Sequence, residues 1–278
     1  MAHYEVSRDV VGHCLRGFDH LGPHGREGVG EVMTIAQASA KSLYLKQMRN
    51  GQVIGMATGF VVVRERPFLV TNQHVLWGKD AHGRVAMPDT LVIKHNREGA
   101  FGQYEEKEEP LHDGKGALWY EHPTLRQDVD VAALPLSDTT GVELMPYDPW
   151  DPGPGLRADL TDPLNVIGFP FGITGGAAFG VWTRGFVATQ PEIDWSGLPC
   201  FLIDSRTRPG QSGSPVIAYA EGSGVPTTKA SLHFFDGPVE QLFGLYSGRI
   251  DAESDLGKVW KPRALREVIE GKSRSKGP

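Results

Sequence analysis

The sequence predicts an all-β chain: two antiparallel six-stranded β-barrels, joined by a strap and closed by a C-terminal helix. Glycine and proline are plentiful, 35 and 20 of 278 residues, which favours many short strands and turns over long helices. Short runs of β-type pattern recur on both sides of a proline-rich stretch at residues 139–163. Near the end, the apolar positions of residues 259–269 recur at helical spacing.

Residues 1–31 lack a clear period and read as an N-terminal arm, with a short helix near residues 10–15. His20 and His24 stand four apart, but Gly22 and Pro23 between them argue against the helix that would make them zinc ligands, and no metal or cofactor is expected. The first barrel is assigned to residues 32–140. Residues 42–48 alternate as a half-buried strand, Asn50-Gly51 supplies a tight hairpin, and residues 53–63 and 68–71 continue the sheet. Residues 91–94, 117–120 and 129–136 complete about six strands, enough for one small barrel. Residues 96–116 contain Gly-Gln-Tyr-Glu-Glu-Lys-Glu-Glu-Pro and read as a solvated acidic loop.

The strap is placed at residues 141–163, the second barrel at 164–257, the helix at 258–270 and a basic tail at 271–278. Strands of the second barrel are expected at residues 165–168, 182–188, 200–204, 215–220 and 242–247. The long connection at residues 220–239 carries Phe234 and Phe235, either a satellite core or a contact surface.

The net charge of −6 and the lack of a concentrated basic face argue against nucleic acid as a partner; Lys272, Arg274 and Lys276 read as a solvated tail. No segment approaches the roughly 20 apolar residues that span a bilayer, so no membrane partner is expected. The N-terminus has charges and histidines where a signal peptide needs an apolar stretch. Cys14 and Cys200 are too few for a disulfide scaffold, so free thiols and a cytoplasmic location are expected.

Three segments carry the chemistry. Leu69-Val-Thr-Asn-Gln-His-Val-Leu76 is a buried strand ending in a polar turn that presents His74. Asp130-Val-Ala-Ala-Leu-Pro-Leu136 sets an acid ahead of an apolar run. Arg208-Pro-Gly-Gln-Ser-Gly-Ser-Pro-Val216 is a glycine-rich turn leading into a strand. These segments resemble the His, Asp and Ser boxes of trypsin-like, chymotrypsin-fold serine peptidases, closest to the bacterial HtrA type. Ile167-Gly-Phe-Pro-Phe-Gly172, Thr183-Arg-Gly-Phe-Val187 and Gly244-Leu-Tyr-Ser-Gly248 resemble further segments of that family, and the similarity spans roughly residues 32–270. No PDZ module is recognisable after the helix.

The resemblance implies a serine endopeptidase acting on protein or peptide substrates through an acyl-enzyme. His74 is the expected base, Asp130 its orienting acid, Ser212 the nucleophile, and the N–H groups of Gly210 and Ser212 the oxyanion donors. Asp128 competes with Asp130, since the two share a face of a strand; the family pattern, an acid before an apolar residue and Ala, favours Asp130. Ser214 competes with Ser212, and the Gly-x-Ser-Gly frame selects Ser212. An esterase serine in Gly-x-Ser-x-Gly does not fit Gly210-Gln-Ser-Gly-Ser. A pseudopeptidase of the same fold, used as a binding module, is the alternative, but no triad residue is missing.

Gln211 stands where digestive trypsins carry an acid, and the Ile-Val-Gly-Gly start that pairs with that acid is absent. Activation by N-terminal trimming is therefore not expected, while a regulatory protein partner that orders the oxyanion loop remains a candidate. The resemblance further puts Arg206, Thr207, Ser247 and Arg249 at the specificity pocket, with Arg206 at its base. A guanidinium there implies a preference for an acidic side chain before the cleaved bond.

Overall fold

In the computed structural model, residues 35–78, 87–222, 225–227 and 232–276 are described. The arm, and with it the expected short helix, His20, His24 and Cys14, lies outside them. Alternation in the first sheet works as expected: β1 (Ser42–Arg49) and β2 (Gln52–Val63) form a hairpin. Asn50 and Gly51 both adopt positive φ, 50° and 73°, as a tight two-residue connection requires. β3 (Pro67–Thr71) pairs with β2, and the chain then enters a short helix, α1 (Gln73–Trp77), that ends at Gly78 with φ 62°.

The rest of this half comprises β4 (Thr90–Arg97), β5 (Tyr104–Pro110), β6 (Tyr120–Glu121), β7 (Ala132–Pro135) and β8 (Val142–Glu143). Among the described residues the hydrogen-bonded order is β8-β4-β1-β2-β3-β7-β6-β15, with β5 also on β4, where β15 is Ser273–Arg274. Six of these nine strands fall on the runs that the sequence predicts. The other three come from the acidic loop, the strap and the tail.

The acidic loop is thus corrected to a strand. One of its glutamates faces a lysine across the ladder: Glu106 lies opposite Lys94 and takes an ion pair from Lys46 at 2.7 Å. The buried Glu109 accepts the Ser137 N–H. Charge on this outer strand also discourages pairing with another chain. The tail is likewise tied down: Ser273 and Arg274 pair with Glu121 and Tyr120, and Lys272 meets Glu65.

The C-terminal half closes into a six-stranded barrel, β9-β10-β11-β14-β13-β12. Its strands are β9 (Pro163–Gly168), β10 (Val181–Val187), β11 (Cys200–Asp204), β12 (Pro215–Ala220), β13 (Val239–Arg249) and β14 (Leu256–Trp260). The last takes residues 258–260 from the helix expected at 258–270. Val259 and Trp260 are fully buried barrel residues, and Pro262 fixes the true helix start, giving α2 as Pro262–Gly271. Phe235 packs against the barrel core, as the satellite-core reading expects of it, whereas Phe234 is 75% exposed.

Each half has its own core, around Leu45, Leu69 and Trp119 in the first and Phe201, Tyr246 and Val259 in the second. A third cluster joins them and takes in α2, which buries Ala264, Leu265, Val268 and Ile269 on one face. Glu267 of α2 meets His122 at 2.8 Å, and Glu270 accepts the Trp150 indole N–H, so helix, first sheet and strap are linked. Among the described residues no helix is long and apolar enough to cross a membrane.

Candidate active site

His74 lies in the first turn of α1, where the strand β3 gives way to the extended Asn72. Two side chains clamp this turn to the loop before β7. Asn72 Nδ2 donates to the Asp130 carbonyl at 2.7 Å, and the buried Gln73 donates to the carbonyls of Arg126 and Val129. The acid and the histidine are therefore fixed to each other by backbone as well as side chain. Asn72 and Gln73 were not singled out from the sequence, although their amides flank the histidine in the same string.

Asp130 receives three donors. The His74 N–H reaches Oδ1 at 3.0 Å, while His74 Nδ1 and the Ser247 hydroxyl reach Oδ2 at 2.7 and 2.5 Å. Burial alone would raise the carboxyl pKa. The His74 imidazole and hydrogen bonds from its ring, from Ser247 and from the His74 N–H outweigh burial and hold it below the ordinary carboxylate range. A carboxylate can only accept, so Nδ1 carries the proton and the lone pair of the imidazole lies on Nε2. Asp128 is exposed, with its N–H turned to the Leu125 carbonyl. Geometry thus separates the two acids where parity did not.

Ser212 sits in the turn between β11 and β12, and Thr58 of β2 staples that turn to the first sheet. The Thr58 N–H donates to the Ser212 carbonyl at 2.9 Å, and its hydroxyl donates to the Gly210 carbonyl at 2.8 Å. Thr71, at the end of β3, donates to the Thr58 carbonyl. Gly213, at φ 86°, comes so close that a Cβ would lie 2.0 Å from the Thr58 carbonyl oxygen, so only glycine fits. On the other side, Gly213 N–H donates to Tyr246 O and Tyr246 N–H to Ser214 O. The next residue is Ser247, already on Asp130. The serine turn, the acid and the histidine are in this way joined by one continuous set of hydrogen bonds.

Within the turn the amides divide into two classes. Arg208 N–H is taken by Gln211 Oε1, Gln211 N–H by Arg208 O, Gly213 N–H by Tyr246 O and Ser214 N–H by Gln211 O. Among the described residues, Gly210 N–H and Ser212 N–H donate to no backbone carbonyl. Gly210 adopts φ 96°, and the Pro209 carbonyl beside it accepts the Phe171 N–H at 2.7 Å. Gln211 is wholly buried, with its amide nitrogen on Thr183 Oγ1, so it closes the turn by itself. Ser214 is also wholly buried, its hydroxyl without a partner among the described residues and packed where Gly168 has no side chain.

The expected pocket residues fare differently. Ser247 donates its hydroxyl to Asp130. Arg206 is exposed, and so is Arg249, the last residue of its barrel strand. Thr207 is buried and its hydroxyl is hydrogen-bonded to the Tyr246 phenol.

The family model described as a trypsin-like peptidase domain matches residues 57–225. No curated protein matches the chain. Among solved structures it is similar to a serine endoprotease from Yersinia pestis, at 15% identity and TM-score 0.49, over 84% of this chain and 63% of that one. The chain therefore spans less than two thirds of that protein's length. It is also similar to a protease from M. tuberculosis in its inactive form, at 17% identity and TM-score 0.46, over 84% of this chain and 89% of that one. The active form of the same protease aligns at 15% identity and TM-score 0.44, over 93% and 96%. The match of more than half the chain to that family model makes this protein a member of the trypsin-like serine peptidases.

Proposed function

We propose that the protein is a serine endopeptidase in which Ser212 attacks the peptide carbonyl, His74 acts as base and Asp130 orients it. The observation that carries this reading is the division of amides in the serine turn. The N–H groups of Arg208, Gln211, Gly213 and Ser214 are bonded, and among the described residues those of Gly210 and Ser212 meet no backbone carbonyl, which suits them to a developing oxyanion.

Chemistry follows from the arrangement. A serine hydroxyl is a weak nucleophile until a neighbouring base takes its proton. With the Nδ1 proton held by Asp130, His74 offers Nε2 as that base, and the carboxylate stabilises the imidazolium that forms. The carbonyl oxygen becomes an oxyanion between the two N–H groups. His74 then hands the proton to the leaving amine, leaving an acyl-Ser212 ester. Water, activated by the same imidazole, hydrolyses that ester and restores the serine.

Cleavage of an unfolded protein substrate such as casein, with Ser212→Ala as control, tests this reading. Release of new amino termini by the parent chain and none by the variant is the expected result. Binding of substrate without cleavage by either would assign the fold to a binding role instead.

A further inference from the structure

The prolines of Pro149-Trp-Asp-Pro152 keep this part of the strap out of any strand, and side chains from three elements pin it instead. The Arg64 guanidinium stacks on the Trp150 ring, 4.6 Å from its centroid, and Glu270 of α2 takes the indole N–H. Arg266 of α2 donates to the Pro149 carbonyl at 2.8 Å. Gly153, at φ 70°, sits so close to β13 that a Cβ would lie 2.7 Å from Gln241 Cγ. Gln241 Oε1 in turn accepts the Leu156 N–H at 2.8 Å.

A cavity of about 330 Å³ opens between this bend, β13 and the start of α2, within the roughly 300–1,000 Å³ of small-molecule sites. Trp150, Leu242 and Phe243 line it, together with the rings of Pro149, Pro191 and Pro262. Arg64 covers one face of the indole, which leaves the other for a planar guest.

Four charged residues also line the cavity: Asp151, Glu192, Lys261 and Arg266. Lys261 is taken by Asp194, and Asp151 and Glu192 are exposed, where water and salt screen them. Arg266 is half-buried and, among the described residues, meets no carboxylate. Its bond to Pro149 uses one of five N–H donors. Gln241 Nε2, on the facing strand, likewise has no acceptor among the described residues. Flat apolar walls and two sets of unused donors, one of them cationic, match a ring that ends in an anionic acceptor.

We propose that this cavity is a binding site for an aromatic ring that carries a carboxylate, with the ring against Trp150 and the prolines and the carboxylate on Arg266 and Gln241. A free aryl acid and the C-terminal Phe of a peptide share this chemistry. The site goes beyond the peptidase reading, since none of its residues belongs to the serine turn or is His74 or Asp130.

Isothermal titration of the full chain with naphthoate, naphthamide and octanoate tests it. Saturable binding of naphthoate, at least about tenfold tighter than of naphthamide or octanoate, is expected. Arg266→Gln should weaken naphthoate at least about tenfold and leave naphthamide unchanged. Acetyl-Gly-Gly-Phe with a free carboxylate separates the two sources: binding tighter than that of naphthoate assigns the cavity to peptide ends, and weaker binding assigns it to free aryl acids. No saturable binding of either acid overturns the inference, whether or not the variant folds. Naphthamide or octanoate bound as tightly as naphthoate overturns it too. A folded Arg266→Gln that binds naphthoate as tightly as the parent does the same, because the acid then binds elsewhere.

Discussion

The Phe171 N–H donates to the Pro209 carbonyl at 2.7 Å, and that single bond decides which way the next amide faces. A trans peptide carries its C=O and N–H on opposite sides, so pinning the Pro209 oxygen on Phe171 turns the Gly210 N–H the other way. The following carbonyl, of Gly210, is held by the Thr58 hydroxyl. Both peptide planes around Gly210 are fixed before substrate arrives. Phe171 contributes through an aromatic residue at φ 54°, a conformation that such residues adopt rarely, with its side chain exposed.

The first prediction concerns this turn. In Gly210→Ala the new Cβ would lie 2.3 Å from the Phe169 carbonyl oxygen, at a φ that alanine resists. The turn must shift and its amide with it. Loss of about 10²–10³ in kcat, with KM little changed, is expected by analogy with removal of one oxyanion donor. Thr58→Val, which frees the Gly210 carbonyl, should act in the same direction more mildly. Steady-state kinetics on one peptide substrate check both.

Ser212→Ala, His74→Ala and Asp130→Asn should each remove nearly all activity, by about 10⁴-fold or more, without loss of the cooperative unfolding transition. Groups that act as one unit do not give multiplicative losses, so the triple variant should be hardly worse than the single ones. Asp128→Asn, at an exposed position, should retain parent activity. Inactivation by Asp128→Asn in place of Asp130→Asn would reverse the assignment.

A third prediction uses His95, 1% exposed on β4, which burial lowers to a pKa of about 4 with help from nearby Lys107. The folded value lies below the unfolded one, so the unfolded chain binds this proton more readily below about pH 6.5 and stability falls with pH. Between about pH 7 and pH 5 this group alone should cost about 2 kcal/mol, a range in which carboxylates scarcely protonate. His95→Gln should remove that slope in urea unfolding measured at the two pH values. An identical slope in the variant would show that His95 does not titrate on unfolding.

Cys200 is wholly buried, and burial pushes its thiol up to about 11. Peptide mapping after iodoacetamide treatment at about pH 8 should find Cys200 unmodified in the folded chain and alkylated in the unfolded one, because the thiolate is the reactive form. Mild reductant should leave activity and stability unchanged. A Cys14–Cys200 link in a non-reducing mass measurement would contradict this.

Gln211 bears on activation. Its amide is satisfied inside the turn by Arg208 and Thr183, so no newly made N-terminal ammonium has a role there. Active-site titration should give the same count before and after removal of residues 1–31. Activity that arises only after cleavage would show that the arm blocks or distorts the site.

Strand runs, the Asn50-Gly51 turn and the three boxes were legible because each is a local pattern of alternation, turn chemistry or spacing. What the sequence did not disclose is long-range. Thr58 reads as one more β-branched strand residue until it meets a turn 152 positions later. Tyr246 reads as core, and only the fold brings its hydroxyl to Thr207. The acidic run 104–110 reads as solvated because Glu106 finds Lys46 and Lys94, and Lys107 finds Asp138, outside their own segment. A resemblance of segments assigns Arg206 a position in the chain and not the direction of its exposed side chain.

The central claim is that His74 activates Ser212 within this turn, and fluorophosphonate labelling followed by peptide mapping tests it most directly. The account predicts one adduct per chain, on Ser212, lost in Ser212→Ala and slowed by orders of magnitude in His74→Ala. A folded chain that takes no label at Ser212, or one that His74→Ala labels as fast as the parent, would contradict it.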